Sequence, residues 1–313
     1  MAKYILTVTV NPALDLTALI DQKNFGKSTE YRSITQSAGG KGFNVSRTLR
    51  SLGVATKALG VAGQSTGAAL RRLLREEEIP FDLVECASPT RINITVLNRK
   101  YEQMFRLLGA GSRLSFLEKR KLLSEYQRLL KGAGAVIISG RNAPNLSDDF
   151  YASLIRQARK RKVPVALDSS GQSFKKALLA KPLIIKPNQE EAEQVLGYKI
   201  ADMKKAVTAV ADFHQRGVSI VLLTLGQKGA FGFDGRTCWQ VLPNHVKMKN
   251  DVGCGDAFLA GFVAGMMQRK SFDTSLKMAA ACAGASGESL VAGQLTKKIY
   301  LKYFKSVHMK KIF

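Results

Sequence analysis

Four short apolar runs set the rhythm of the second half of this chain: Ala135 to Ser139, Val163 to Leu167, Leu183 to Lys186 and Ile220 to Thr224. Each gives way to polar or Gly/Pro residues and then to a helical pattern. Runs this short and this continuous suit strands buried on both faces, and their alternation with helices points to a parallel sheet with helices on either side. In such open sheets ligands bind beyond the carboxyl ends of the strands. The residues after each run therefore matter most: Asp168, Lys186-Pro187-Asn188 and Thr224-Leu225-Gly226. Tyr4 to Val10 adds a buried strand, and Ile92 to Leu97 alternates as another. Val45 to Leu52, Ala68 to Glu78 and Phe116 to Leu130 repeat their apolar residues at helical spacing. Leu14 to Ile34 and Arg91 to Leu108 break the pattern. They read as extended hairpin material, a small separate sheet. The expected organisation is a single α/β domain over 1–313, with segments of about 12–36 and 90–110 inserted in it as a lid.

Composition narrows the classes of function. A chain of 313 residues with 45% apolar residues can build one large core. No apolar stretch approaches the roughly 20 residues of a membrane span, and Met1 to Val10, ended by Asn11-Pro12, does not read as a secretory leader. Cys86, Cys238, Cys254 and Cys282 are far apart and form no CxxC pair, so reduced thiols in a cytoplasmic protein are expected. Lys and Arg total 48 against 24 acids, a formal net charge of +24. The basic clusters, such as Arg159-Lys160-Arg161-Lys162, are scattered along the chain and lack interleaved aromatic residues, so nucleic acid is not the expected partner. A basic surface also suits an enzyme with polyanionic substrates.

Four motifs carry chemistry. In Gly253-Cys254-Gly255-Asp256-Ala257-Phe258, glycines precede an acid that opens an apolar helix. Backbone N–H groups and a helix N-terminus there would hold an anion, and the carboxylate beside them could take a proton from an attacking hydroxyl. Local pattern alone leaves Asp256 equally readable as a helix cap. Ala38-Gly39-Gly40-Lys41-Gly42-Phe43-Asn44 places glycines around a lysine before a helix, a close-approach anion site without Walker A spacing, or else a plain turn. In Lys186-Pro187-Asn188-Gln189-Glu190-Glu191, Glu191 could orient magnesium through water, and Asn188 with Glu191 could form a capping box. Thr224-Leu225-Gly226-Gln227-Lys228-Gly229 is a glycine loop after a strand, suited to nucleotide phosphates but weak alone.

Taken together and in this order, the motifs resemble the ribokinase/PfkB family of carbohydrate kinases over nearly the whole chain. Gly39 to Val45 resembles the family's first signature and Asn250 to Gly261 its second. Thr7-Val8-Thr9-Val10-Asn11-Pro12-Ala13-Leu14-Asp15, Thr90-Arg91-Ile92-Asn93 and Asp168-Ser169-Ser170-Gly171 look like the branch that contains 1-phosphofructokinase, tagatose-6-phosphate kinase and one type of 6-phosphofructokinase. The resemblance implies a Rossmann-like ribokinase fold with a β-sheet lid that often forms a homodimer contact. It implies Asp256 as base, with Gly253, Cys254 and Gly255 around the transferring phosphoryl group. Asp15, Gly39, Gly40, Asn44 and Ser139 would meet the sugar, and Lys27, Lys41 and Arg91 its phosphate. ATP would lie along Lys186, Asn188, Thr224, Gly226, Lys228 and Gly229, its adenine near Ala283 to Gly293. Mg2+ would be oriented by Glu191 through water, and a monovalent cation would sit near Asn250, Val252 and 284–293.

The chain departs from the branch in three places. Ser139-Gly140-Arg141-Asn142-Ala143-Pro144 puts a long cation where a small hydroxyl is usual. Phe105-Arg106-Leu107-Leu108-Gly109 replaces an Asn-Glu-Pro-Gly run, and Asp251 and Cys254 stand in place of small residues. The expected activity is phosphorylation of a hexose phosphate. The alternatives are a kinase of an unphosphorylated sugar or nucleoside, and a degenerate kinase whose basic surface grips nucleic acid.

Overall fold

The computed structural model describes residues 3–21, 28–98, 100, 103–242, 246 and 248–313. Its larger sheet has ten strands. Seven are parallel, in the spatial order β5 (Phe81–Glu85), β4 (Thr56–Ala62), β1 (Tyr4–Thr9), β8 (Ala133–Ser139), β9 (Val165–Asp168), β10 (Ile184–Ile185) and β11 (Ile220–Thr224). An antiparallel edge of β12 (Ala230–Phe233), β13 (Cys238–Val241) and β14 (Met309–Lys311) completes it.

The continuous apolar runs follow from burial on both faces. In β1, Leu6 and Val8 join one core cluster, and Ile5 joins the other. The first cluster is closed by α3 (Phe116–Leu130), α4 (Phe150–Lys160), α5 (Gly171–Leu178), α6 (Gln189–Leu196) and α7 (Met203–Gln215). The second lies under α1 (Lys41–Ser51), α8 (Cys254–Met267), α9 (Phe272–Gly287) and α10 (Lys297–Ser306). Strand order reverses at β1. The chain moves outward to β4 and β5 on one side and to β8 and beyond on the other. That is the crevice where open α/β sheets take ligands.

A separate four-stranded sheet runs β3 (Ser33–Gly39), β2 (Ala13–Ile20), β6 (Arg91–Asn98), β7 (Gln103–Leu108). Its two hairpins are joined by parallel pairing of β2 with β6. Register and alternation give it two unlike faces. Asp15, Asn93, Thr17, Thr95 and Arg106 share one face, and Leu16, Ile94, Leu107, Ala18, Val96 and Phe105 the other. Helix α2 (Gln64–Glu76) covers the root of the apolar face with Leu70, Leu73 and Leu74.

Several boundaries differ from the sequence reading. Helix α1 begins at Lys41 rather than Val45, because Gly40 acts as its N-cap with φ of 124°. The glycine-lysine motif is thus itself the first turn of the helix. Strand β10 keeps only two residues, since Pro187 cannot donate to a ladder. The antiparallel edge had no counterpart in the strand–helix rhythm.

Candidate active site

The motifs converge on the carboxyl ends of β1, β8, β9 and β10. Asp168 ends β9 and is fully buried, its side chain held between two lysines. Lys41 Nζ, from the first turn of α1, lies 2.9 Å from Oδ1, and Lys186 Nζ, just past β10, lies 3.3 Å from Oδ2. Burial alone would raise the Asp168 pKa, but Lys186 and Lys41 outweigh it and hold the group ionised. Burial works against the Lys41 ammonium, and Asp168, Asp256 and Glu191 reverse the effect and raise its pKa.

Asp256 sits beside this triad, in the first turn of α8. The helix starts on Gly253, whose φ of 84° is left-handed and easy for glycine, and it has no side-chain cap. The Asp256 carboxylate therefore does not cap the helix. Instead its Oδ2 accepts a hydrogen bond from Asn44 Nδ2 at 2.8 Å. Burial, with Asp168 adding to it, pushes the Asp256 pKa up to about 6, against the pull of Lys41, Asn44 and Lys186. A base poised near neutrality is what proton removal from an alcohol calls for. A β-carbon placed on Gly255 would lie 3.3 Å from Lys186 Nζ, so the α8 N-terminus and the lysine adjoin. The first-turn N–H groups of any helix lack intrahelical partners. Here the Cys254 N–H turns to Asp251 O at a long 3.3 Å, which leaves Gly255 and Asp256 as the better-placed donors of that turn.

Three hydroxyls at adjacent strand ends, Thr9 Oγ1, Ser139 Oγ and Ser169 Oγ, are buried with no hydrogen-bond partner among the described residues, as is Asn11 Oδ1. Buried polar groups rarely stay unpaired, and a polar ligand or ordered water in this crevice would satisfy these four. Asp15 faces the same space from β2. It accepts from Asn93 Nδ2 at 2.8 Å, and burial raises its pKa. Gly39 lies against the Asp15 carboxylate, and Gly140 against Lys41. Arg91 has a structural task, donating to Pro12 O, Gly109 O and Asn11 O at 3.2, 3.0 and 3.0 Å. Those bonds tie the two roots of the small sheet together. Burial lowers the Arg91 pKa, and the neighbouring Arg141 charge adds to that. Lys27 lies outside the described residues.

Beyond β10, Asn188 caps α6 and forms a full capping box with Glu191: Asn188 Oδ1 accepts the Glu191 N–H at 2.8 Å, and Glu191 Oε2 accepts the Asn188 N–H at 2.9 Å. Burial and Asp168 raise the Glu191 pKa. One Glu191 oxygen remains. No group of three His, Cys, Asp or Glu able to hold a metal occurs among the described residues. Mg2+ is held chiefly by phosphates and water with one or two carboxylates, a part that Glu191 could supply. Thr224 bridges to Asn188, and Gly226–Lys228 form an exposed 3-10 turn beside it. Gly229 lies under the Val241 carbonyl, where a β-carbon would stand 2.1 Å away, so its place in the β11–β12 turn is structural. The 250–252 segment is stitched to 287–290 through Asn250 Nδ2 to Leu290 O at 2.9 Å and Asn250 N to Gly287 O at 3.3 Å.

The sequence reading missed Arg47, a buried arginine one turn beyond Asn44. Local pattern gave no signal for it: Arg47 lies across the helix from Val45, Leu49 and Leu52, where a charged residue is ordinarily solvated.

The model of the pfkB family carbohydrate kinases matches residues 9–295. A tagatose-6-phosphate kinase from Staphylococcus epidermidis is 29% identical over 308 residues, covering 97% of this chain and 99% of that one. Phosphofructokinase-2 from Escherichia coli, solved in complex with potassium, superposes with a TM-score of 0.90 at 26% identity, covering 98% and 99%. A ribokinase from Arabidopsis thaliana, solved with ribose and ATP, shares the fold with a TM-score of 0.76 at 23% identity over 97% of this chain and 99% of that one.

Proposed function

The chain belongs to the pfkB family of carbohydrate kinases, and from that premise we propose that it transfers the γ-phosphoryl group of ATP to a hydroxyl of a hexose phosphate. Fructose 1-phosphate, fructose 6-phosphate and tagatose 6-phosphate are the candidate acceptors, and a hexose bisphosphate is the product. The observation that carries the reading is Asp256. It is 5% exposed, oriented by Asn44 and poised near neutrality at the N-terminus of α8, beside two lysines.

Asp256 takes the proton of the acceptor hydroxyl. The freed oxygen bonds to the γ-phosphorus as the bond to the bridging oxygen breaks, and ADP leaves with that electron pair. Lys186 and the first-turn N–H groups of α8 face the charge on the transferring group. Bound Mg2+, reached through water by Glu191, would neutralise the ATP phosphates. A monovalent cation would sit where 250–252 meets 287–290. Asp15, Asn93 and the buried hydroxyls of Thr9, Ser139 and Ser169 receive the sugar. Lys41, Arg91 and Arg141 supply positive charge for its phosphate, with Lys27 expected to join them. The small sheet acts as a lid that excludes water from transfer.

The lid's apolar face supports homodimerisation. Ile34, Phe105 and Leu107 on it are 44%, 51% and 51% exposed, more apolar surface than a lone sheet face usually leaves to water. Four free thiols suit a reducing cytoplasm. No helix among the described residues is long and apolar enough to cross a membrane.

A coupled ADP-release assay over a panel of sugars and sugar phosphates tests the reading. One hexose phosphate should have the highest kcat/KM. Faster turnover of an unphosphorylated sugar or a nucleoside would overturn the assignment of substrate.

A further inference from the structure

Asp256 is oriented by a side chain that could point either way. Asn44 carries a donor at one end of its carboxamide and an acceptor at the other, and the two ends have nearly the same shape. The choice is made from behind. Arg47, one turn further along α1, donates Nη1 to Asn44 Oδ1 at 2.9 Å. With Oδ1 claimed by a cation, the NH2 end faces Asp256. Arg47 is itself 5% exposed and clamped. Its Nε and Nη2 reach the two Glu77 oxygens at 2.9 and 3.0 Å, its Nη1 also donates to Ala292 O at 2.5 Å, and its Nη2 to Ala38 O at 2.9 Å. These contacts use the whole donor set of a guanidinium, and a lysine could not reproduce the fork.

We propose that Arg47, anchored by Glu77, is a positioning residue for phosphoryl transfer: it fixes the Asn44 carboxamide and, through it, the carboxylate of Asp256. The proposal rests on Asp256 being the base. One guanidinium thereby joins the end of β3 at Ala38, the loop after α9 at Ala292 and the catalytic turn of α8. Without it the carboxamide is free to turn its oxygen toward Asp256, which removes a donor from the anion and sets a lone pair against it. The charged groups around Asp256 stay in place: Lys41 on α1, Asp168 at the end of β9, Lys186 after β10, Glu191 on α6 behind Asp168, and the Cys254 thiol on its own helix. Arg47→Met also removes a cation and unpairs Glu77, which raises the Asp256 pKa directly; Glu77→Gln separates the two effects, because loss of the Glu77 charge alone would lower that pKa while a loosened Asn44 raises it.

The test compares wild type, Arg47→Met, Arg47→Lys and Glu77→Gln by kcat/KM against pH. It adds a 13C titration of the Asp256 carboxyl, identified by its loss in Asp256→Asn. In Arg47→Met the acid limb and the carbon midpoint should both move up by about one pH unit, which lowers kcat/KM about twofold near pH 7 and about tenfold below pH 6, with recovery in alkali. KM for ATP should stay within about threefold, because no bond to nucleotide is lost. Arg47→Lys should fail to rescue, and Glu77→Gln should fall between. An unmoved carbon midpoint in folded Arg47→Met, or a loss of activity uniform across pH, would overturn the proposal. Should Arg47→Met not fold, Glu77→Gln decides it by the same two readouts, since Glu77 is 22% exposed and tolerates loss of charge better. If the wild type phosphorylates no sugar, the functional reading fails, while the carbon titration still tests the link from Arg47 to Asp256.

Discussion

Replacing Asp256 with asparagine should disable the enzyme and stabilise the protein at once. The carboxyl is pushed up to about 6 from an ordinary 3.8, chiefly by burial. That difference of about 2 units corresponds to roughly 3 kcal/mol held against the charged form. Asparagine mimics the neutral acid, so the attraction of Lys41 is already counted in that figure. Between the unfolded and folded pKa values the folded state binds the extra proton, so wild-type stability falls as pH rises through this window and is lowest above about 6. Asp256→Asn removes that loss. Urea unfolding should show the variant more stable by about 2–3 kcal/mol near pH 8, and matched to wild type near pH 4. Turnover should fall by about 100- to 10,000-fold, as expected for a lost general base, with ATP binding retained. In the wild type, kcat/KM should drop about tenfold per pH unit below roughly pH 6. A variant that turns over within a few-fold of wild type, or that is less stable at pH 8, would refute the reasoning.

Three further perturbations separate the lid from the chemistry. Arg91→Ala unties the lid roots from Pro12, Gly109 and Asn11. It should raise KM for the phosphosugar by at least about tenfold with a smaller change in kcat, and cost about 1–3 kcal/mol in thermal unfolding; an unchanged KM would remove Arg91 from the substrate site. Asp251→Ala breaks the 2.6 Å contact with Arg106, the bridge from lid strand β7 to the loop before α8. Both partners are substantially exposed, so stability should change by less than about 1 kcal/mol. Hydrogen exchange of the β6 and β7 amides should rise, and unchanged exchange would show that the bridge does not hold the lid. Light scattering should show a wild-type dimer and a folded monomer for the double substitution Phe105→Asp, Leu107→Asp; a monomeric wild type would refute the dimer, and an unchanged dimer mass would take the contact off this face.

The parallel core was legible because burial on both strand faces leaves continuous apolar runs, and β11 and α3 fall on the residues that periodicity picks out. The capping box of Asn188 and Glu191 could be read too, since it depends on residues three apart. The small sheet was legible as extended segments, but its central pairing of β2 with β6 joins residues nearly eighty apart, and no local signal encodes that. Among the edge strands, β14 was missed because it comes from the end of the chain and completes the sheet only after folding, whereas β12 and β13 form a local hairpin whose Asp234-Gly235 turn was a readable signal passed over.

The site divides along the same line. Sequence alone supplied the chemical groups, a glycine-flanked acid, a glycine-lysine turn and a lysine at a strand end, because anion binding by backbone N–H groups and helix starts is a local property. Local pattern left Asp256 readable as helix cap or base, and the other motifs with the family resemblance favoured the base. Tertiary structure added the surroundings, carrying Asn44 across from α1, placing Asp168 between Lys41 and Lys186, and burying Asp256 so that its pKa rises to about 6. Burial and Coulomb interaction belong to the assembled site, so only the fold could show why this aspartate has a raised pKa and what orients it.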